Sequence, residues 1–163
     1  MFHWEGIGKS DEWYTPKYIF DALGCEFDLD VAHPKQATYV PTKNYYTENS
    51  LEKEWKGFIW MNPPFGKRKG IEPWLNKFLS HGNGISLTPD RTSAKWFQTY
   101  APKMDAILFI GPRVKFIQPN GLASKAPSNV GTALLGLGNK AKEALMRGSS
   151  LGFLVYPALK EGE

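Results

Sequence analysis

Apolar and polar positions alternate along this chain in short blocks whose period changes from one block to the next. Tyr18, Ile19, Ala22 and Leu23 recur at helical spacing behind Thr15-Pro16. Threonine can cap free N–H groups and proline suits the first helical position, so a helix is predicted there, ended by Gly24. Apolar runs at 27–31 and 57–61 predict strands, the second stopped by Pro63 and Pro64. Between them Pro34, Pro41 and the polar cluster Thr47-Glu48-Asn49-Ser50 predict little regular structure beyond one short strand near Asn44-Tyr45-Tyr46.

Beyond the prolines the pattern becomes regular. It predicts a helix at 72–79, a strand at 84–88, a helix at 93–101 capped by Thr92, and a strand at 105–110. Further strands are expected near 114–117, 132–137 and 151–156, with a helix at 140–147 capped by Asn139. Such alternation reads as βαβ units, and right-handed crossovers then imply an α/β fold with a mostly parallel, twisted, Rossmann-like sheet flanked by helices. Ligands of these sheets settle beyond the carboxyl ends of the strands. Asp30, His33, Asn62, Asp90, Arg91 and Arg113 all lie at or after the ends of predicted strands, so one rim would carry them.

Length and composition narrow the picture. A chain of 163 residues with 42% hydrophobic content is expected to form one domain, 1–163, with no room for a separate target-recognition domain. No apolar run approaches the roughly 18 residues of a membrane span, and the N-terminus lacks the features of a signal peptide, so a soluble cytoplasmic protein with no membrane partner is expected. The lone Cys25 and three scattered histidines offer neither a disulfide nor a metal cluster, and no metal is expected. The net charge of +4 conceals an asymmetry: residues 1–66 hold 6 Lys/Arg against 10 Asp/Glu, and residues 67–163 hold 14 against 6. A basic second part can neutralise phosphates, which makes nucleic acid a candidate partner; the bland alternative is that its lysines serve solubility.

The run Asn62-Pro63-Pro64-Phe65 carries the most specific chemistry. Proline fixes φ, removes an N–H and biases the preceding residue toward extended geometry, so this backbone is stiff. Its carbonyls and the Asn62 side-chain oxygen can act as fixed acceptors, and Phe65 offers a face for a planar ring. Such a pocket suits an exocyclic amine. Two acceptors on the N–H bonds of an adenine amino group would make its nitrogen more nucleophilic and stabilise the positive charge that develops there. Taken alone the tetrapeptide could simply end a strand, but it follows the buried-strand pattern of 57–61 and precedes the basic loop Gly66-Lys67-Arg68-Lys69-Gly70, which could contact phosphate.

Several motifs together resemble the phage and prophage Dam-type DNA N6-adenine methyltransferases. Asp11-Glu12-Trp13-Tyr14-Thr15-Pro16 resembles the family's N-terminal cofactor motif, Phe27-Asp28-Leu29-Asp30-Val31-Ala32 its Leu-Asp-Val-Ala segment, and Asn62 to Gly66 its catalytic motif. Pro89-Asp90-Arg91-Thr92, Gly111-Pro112-Arg113-Val114-Lys115-Phe116 and Gly131-Thr132-Ala133-Leu134-Leu135 resemble later blocks in order. The resemblance implies S-adenosylmethionine as cofactor, with Tyr14, Thr15, Pro16, Asp30, Ala32, Glu48 and Asn49 around it, and DNA as partner. It also implies Asn62, Pro63 and Phe65 as the catalytic pocket for a flipped adenine. Pro64, Lys67, Arg68, Lys69, Arg91 and Arg113 are substrate-side candidates; either arginine could instead brace a loop.

Two departures qualify the pattern. His33-Pro34 follows Ala32 where general adenine methyltransferases carry a glycine-rich loop, and only 31 residues separate Asp30 from Asn62, which implies an abbreviated sheet. Asp28 could take the ligand role of Asp30, but Asp30 lies nearer the rim. Competing readings are a methyltransferase acting on an RNA base or a protein glutamine, and a non-catalytic DNA-binding module that keeps the fold.

Overall fold

In the computed structural model of the chain, residues 13–64 and 70–158 are described. The alternating Ile85 and Leu87 and the run Ala133-Leu134-Leu135 become central strands. β4 (Gly84–Pro89) and β6 (Thr132–Leu137) are buried at every position, as strands covered on both faces must be. With β1 (Phe27–Asp30), β2 (Thr42–Tyr45), β3 (Ile59–Met61), β5 (Ala106–Ile110) and β7 (Gly152–Val155) they form a seven-stranded sheet in the order β2-β1-β3-β4-β6-β5-β7. The edge strands β2 and β7 are the solvent-exposed ones.

Side-chain alternation sends the strands' apolar residues to two helical layers. Trp60, Ile85, Leu108 and Leu134 pack with α1 (Lys17–Leu23) and α4 (Asn139–Arg147), through Ile19, Phe20, Leu23, Ala141, Ala144 and Leu145. Ile59, Met61, Ile107 and Leu135 pack with α2 (Glu72–His81) and α3 (Lys95–Tyr100), through Leu75, Phe78, Phe97 and Tyr100. The fully buried Trp60 anchors the first layer, with Phe20 edge-on at 4.8 Å, and Phe27 stacks on Phe58 at 5.0 Å. Rings in such geometry add about 1 kcal/mol each beyond their buried area.

The expected mostly parallel sheet is corrected by the pairing. β2, β1, β3 and β4 are parallel neighbours, but β4/β6, β5/β6 and β5/β7 are antiparallel and contain most of the paired residues. The reason lies in one connection. α2, α3 and α4 do join co-directional strands, as the alternation implies, but residues 111–131 between β5 and β6 contain no helix, so the chain returns reversed. β6 then inserts between β4 and β5, and β5 between β6 and β7, so of these three helix-joined pairs only β3 and β4 are neighbours.

Smaller corrections have local causes. The strand expected near 114–117 is absent: only Ile117 pairs, in isolated bridges with Tyr14 and Ala123, while Val114 and Phe116 alternate inward from an extended loop. α3 starts at Lys95 after the cap residue Ala94, whereas Thr92 donates its N–H to the Asp90 carbonyl; Pro102, with no N–H for an α-helical bond, falls in a 3-10 turn at Ala101–Lys103. Asn139 is the first residue of α4 rather than its cap, which is Gly138. Likewise Pro16 caps α1, and Thr15 makes no capping bond. Gly24 ends α1 as expected, its N–H bonded to the Phe20 carbonyl at 3.0 Å.

The turn into β3 is built around Asp28. One of its carboxylate oxygens accepts the Phe58 N–H at 2.8 Å and the other accepts from Lys43 at 3.1 Å; the amide first and the ammonium second hold its pKa below the usual range. Gly57 sits against that carboxylate at φ +76°, where an added Cβ would lie 2.4 Å from Asp28 Oδ2. Gly57→Ala is therefore expected to cost more than about 1 kcal/mol of stability. Urea denaturation in a double-mutant cycle with Asp28→Ala checks it: part of the loss should disappear once the carboxylate is gone.

Candidate active site

A cavity of about 750 Å³ opens at the carboxyl ends of the parallel strands. Its walls follow the strand order: residues 46–52 after β2, 31–36 after β1, 62–64 after β3, Leu87 and Pro89 on β4, and 130–132 at the start of β6. Trp13, Tyr14, Trp74, Phe116 and Ser128 complete the lining. Of the residues expected at one rim, His33 and Asn62 line this cavity while Asp30, Asp90, Arg91 and Arg113 do not, and the reversed β6 supplies a wall where a parallel strand would have ended.

Asn62 stands where β3 stops. Its side-chain amide donates to the Trp13 carbonyl at 3.2 Å. A carbonyl can only accept, so this bond fixes the amide orientation and leaves Oδ1 as the acceptor. Pro63 is buried beside it and Pro64 is exposed, both in the cavity wall. Phe65, Lys67, Arg68 and Lys69 lie outside the described residues.

Tyr14, Ala32, Glu48 and Asn49 line the cavity; Thr15, Pro16 and Asp30 do not, although Thr15 follows Tyr14 and Asp30 precedes Val31, both of which do. Asp30 is 2% exposed, and among the described residues no cation pairs with it. Burial pushes its carboxyl up to about 7, opposed by the Ala32 N–H, which donates to Oδ1 at 3.1 Å. The Thr15 hydroxyl and the Trp13 indole N–H are also buried, without hydrogen-bond partners among the described residues. Asn49 adopts φ 54°, the left-handed region, as the chain enters a 3-10 turn at Ser50–Glu52.

Supporting residues emerge that the sequence reading did not assign. Lys77 on α2 donates to the Ser50, Leu51 and Lys53 carbonyls and lies over the Trp55 ring, holding the wall at 50–53 from behind. Trp55 itself donates to Ser50. Gln36 bonds both the Tyr14 hydroxyl at 2.6 Å and the Pro119 carbonyl at 3.0 Å. His33 lines the cavity and stacks on Tyr45, its ring centroid 4.3 Å away. These partners are mostly far apart in sequence, so no spacing signal announces them.

The two candidate arginines are not in the cavity lining. Arg113 donates to the Asn129 carbonyl at 2.9 Å and so braces its loop, while the Arg91 carbonyl accepts the Ala94 N–H ahead of α3. Among the described residues no cluster of His, Cys, Asp and Glu could hold a metal ion, and no helix is long and apolar enough to cross a membrane.

A family model described as DNA N-6-adenine-methyltransferase (Dam) matches residues 7–150. The chain belongs to this family. Its members' chemistry is methylation of adenine N6 in DNA. No curated protein and no solved structure matches the chain.

Asp30 makes stability depend on pH. Between the ordinary carboxylate value near 3.9 and about 7 the folded protein holds a proton that the unfolded chain releases. Its stabilising contribution is therefore complete below the lower value and is lost as pH rises through the upper one. Asp30→Asn should raise the thermal midpoint relative to the parent at pH 8, and the advantage should shrink by pH 5. A difference that stays constant across this range would show that Asp30 is not the buried titrating group.

Proposed function

We propose that the chain transfers the methyl group of S-adenosylmethionine to the N6 amino group of an adenine turned out of the DNA stack. The observation that carries this reading is the Asn62 amide, pinned by its nitrogen to the Trp13 carbonyl with its oxygen left to accept. The cofactor, when bound, supplies a methyl group already activated by a sulfonium. What remains for the protein is alignment and electrostatic stabilisation. Asn62 Oδ1 and a backbone carbonyl of the Pro63-Pro64 turn accept from the amino N–H groups and stabilise positive charge on nitrogen. The prolines keep those acceptors fixed at no reorganisation cost. Phe65 is assigned, from its place in the motif, the aromatic face for the flipped base.

The residues on the β1 and β2 side fit a cationic cofactor. Asp30 is a buried carboxylate with no cation beside it among the described residues, and Glu48 and Asn49 line the adjoining wall. Tyr14, Thr15, Pro16 and Ala32 complete this half of the site. Pro63, Pro64, Leu87, Pro89 and Phe116 give the other half an apolar lining suited to a planar base. A volume of about 750 Å³ lies within the range of sites for sizeable ligands. We assign phosphate contacts to Lys67, Arg68, Lys69 and Arg91, whereas Arg113 is assigned a bracing role. Within residues 1–163 we assign sequence choice to the loops at 66–70 and 118–129.

Tritiated methyl transfer to unmethylated DNA, RNA and protein, followed by nucleoside analysis, tests the reading: N6-methyladenine in DNA is expected. Label in RNA or on glutamine would reassign the substrate, and DNA binding without any transfer would leave a non-catalytic module. Asn62→Ala is expected to lower kcat by about 100-fold or more while the affinity for S-adenosylmethionine stays within about threefold. Retained turnover in that variant would remove Asn62 from the catalytic role.

A further inference from the structure

The helix-free connection between β5 and β6 is ordered around a small hairpin. Ile117 bridges Ala123, Gln118 donates its N–H to the Leu122 carbonyl at 2.9 Å, and Ser124 donates to the Phe116 carbonyl at 2.9 Å. At the tip, Asn120 Oδ1 accepts the Leu122 N–H at 3.0 Å, and Gly121 takes φ +82°, a conformation that glycine adopts without strain. The Gly121 N–H closes the turn on the Gln118 carbonyl at 2.9 Å.

This hairpin is fastened to the cavity. Tyr14 and Ile117 exchange both backbone hydrogen bonds, at 2.9 and 2.8 Å, and Gln36 holds the Pro119 carbonyl. Tyr14, Gln36 and Phe116 are all cavity-lining residues. The tip nevertheless ends in Leu122, which at 66% exposure is the most exposed large apolar side chain among the described residues. A leucine held in water on a stiff turn contributes little to the fold. Around it the electrostatics are one-sided: Lys115 and Lys125 are exposed, and the sequence has no Asp or Glu from 106 to 142.

An apolar side chain on a rigid tip, flanked by cations and anchored to a base-sized cavity, has the chemistry to enter a nucleic-acid stack. The cations would meet the flanking phosphates, and the apolar group would replace stacking lost when a base leaves. We propose that Leu122 is a positioning residue that wedges into duplex DNA and fills the gap left by the target adenine as it turns into the cavity. This inference rests on the function proposed above. A protein partner would have no need of the surrounding positive field, and a lid over the cavity would have to turn its apolar tip inward.

The test compares Leu122→Ala with the parent chain on two DNAs of the sequence the parent methylates: one with the target adenine paired, the other with it opposite an abasic site. Because Leu122 is exposed, the thermal midpoint and the affinity for S-adenosylmethionine should be unchanged. A loss in kcat/KM of about tenfold or more is expected on the paired duplex, against less than about twofold on the abasic one, where no partner base has to be released. Similar losses on both DNAs, or none on either, would overturn the wedge. 2-Aminopurine at the target position gives an independent readout: its fluorescence should rise on binding to the parent and rise less with the variant. If the parent transfers no methyl group, the functional reading falls and the wedge with it; a parent that methylates its site while the fluorescence rises equally with Leu122→Ala overturns the wedge alone.

Discussion

The hydrogen bond from the Asn62 amide to the Trp13 carbonyl joins segments that the chain separates by 49 positions. The next residue, Tyr14, is paired through its backbone to Ile117 and receives Gln36 on its hydroxyl. Two consecutive residues therefore hold the end of β3, the loop after β1 and the hairpin in one arrangement. Each such bond contributes only about 1 kcal/mol net, small beside the apolar burial around Trp60 and Leu134. Their importance is geometric. They set which way an acceptor faces and where a tip stands, while the two helical layers supply the stability that lets them persist.

Sheet polarity shapes the site as much as side chains do. Because residues 111–131 return the chain without a helix, β6 runs against β4 and begins at the rim where β1 to β4 end. The rim thus gains a wall from 130–132 and, from the same connection, Phe116 and the hairpin. A helical crossover would have kept the polarity and taken that chain away from the rim. Asp30 shows the opposite kind of choice. A carboxylate buried with a single amide donor works against stability above about pH 7, a local violation of the kind that sequences tolerate where a ligand is to be met.

Strand and helix positions were largely legible because burial and period agree: 57–61 is a continuous apolar run, 84–88 alternates Ile85 and Leu87 with Ser86 and Thr88, and Gly24 closes the helix before it. Strand direction was not, since a period of two residues names a strand without naming its neighbour. Val114 and Phe116 imitate a strand for the same reason, alternating inward from a loop. In the site, the stiffness of Asn62-Pro63-Pro64 followed from covalent chemistry. The places of Tyr14, Ala32, Glu48 and Asn49 followed from family resemblance alone. Gln36 and Lys77 were invisible, because their contacts reach Pro119 and residues 50–53, across stretches whose pairing only the tertiary fold determines.

The charge asymmetry of the sequence acquires a direction once the fold is known. Residues up to 64 build β1 to β3 and the cavity walls that contain Glu48 and Glu52, with Asp30 behind them; the second half builds the hairpin and its cations. Under the proposed function a cationic ligand and a polyanion would be drawn toward different sides of one cavity. With a Debye length of about 8 Å at physiological ionic strength, these fields act separately over a site of this size instead of averaging to the net charge. The acidic side would repel a phosphate backbone laid across it, so under the proposed function DNA would approach from the hairpin side, where Leu122 stands. Orientation of the nucleic acid would thus be set by charge before any base is contacted, and the apolar tip has only to act on a duplex already in place.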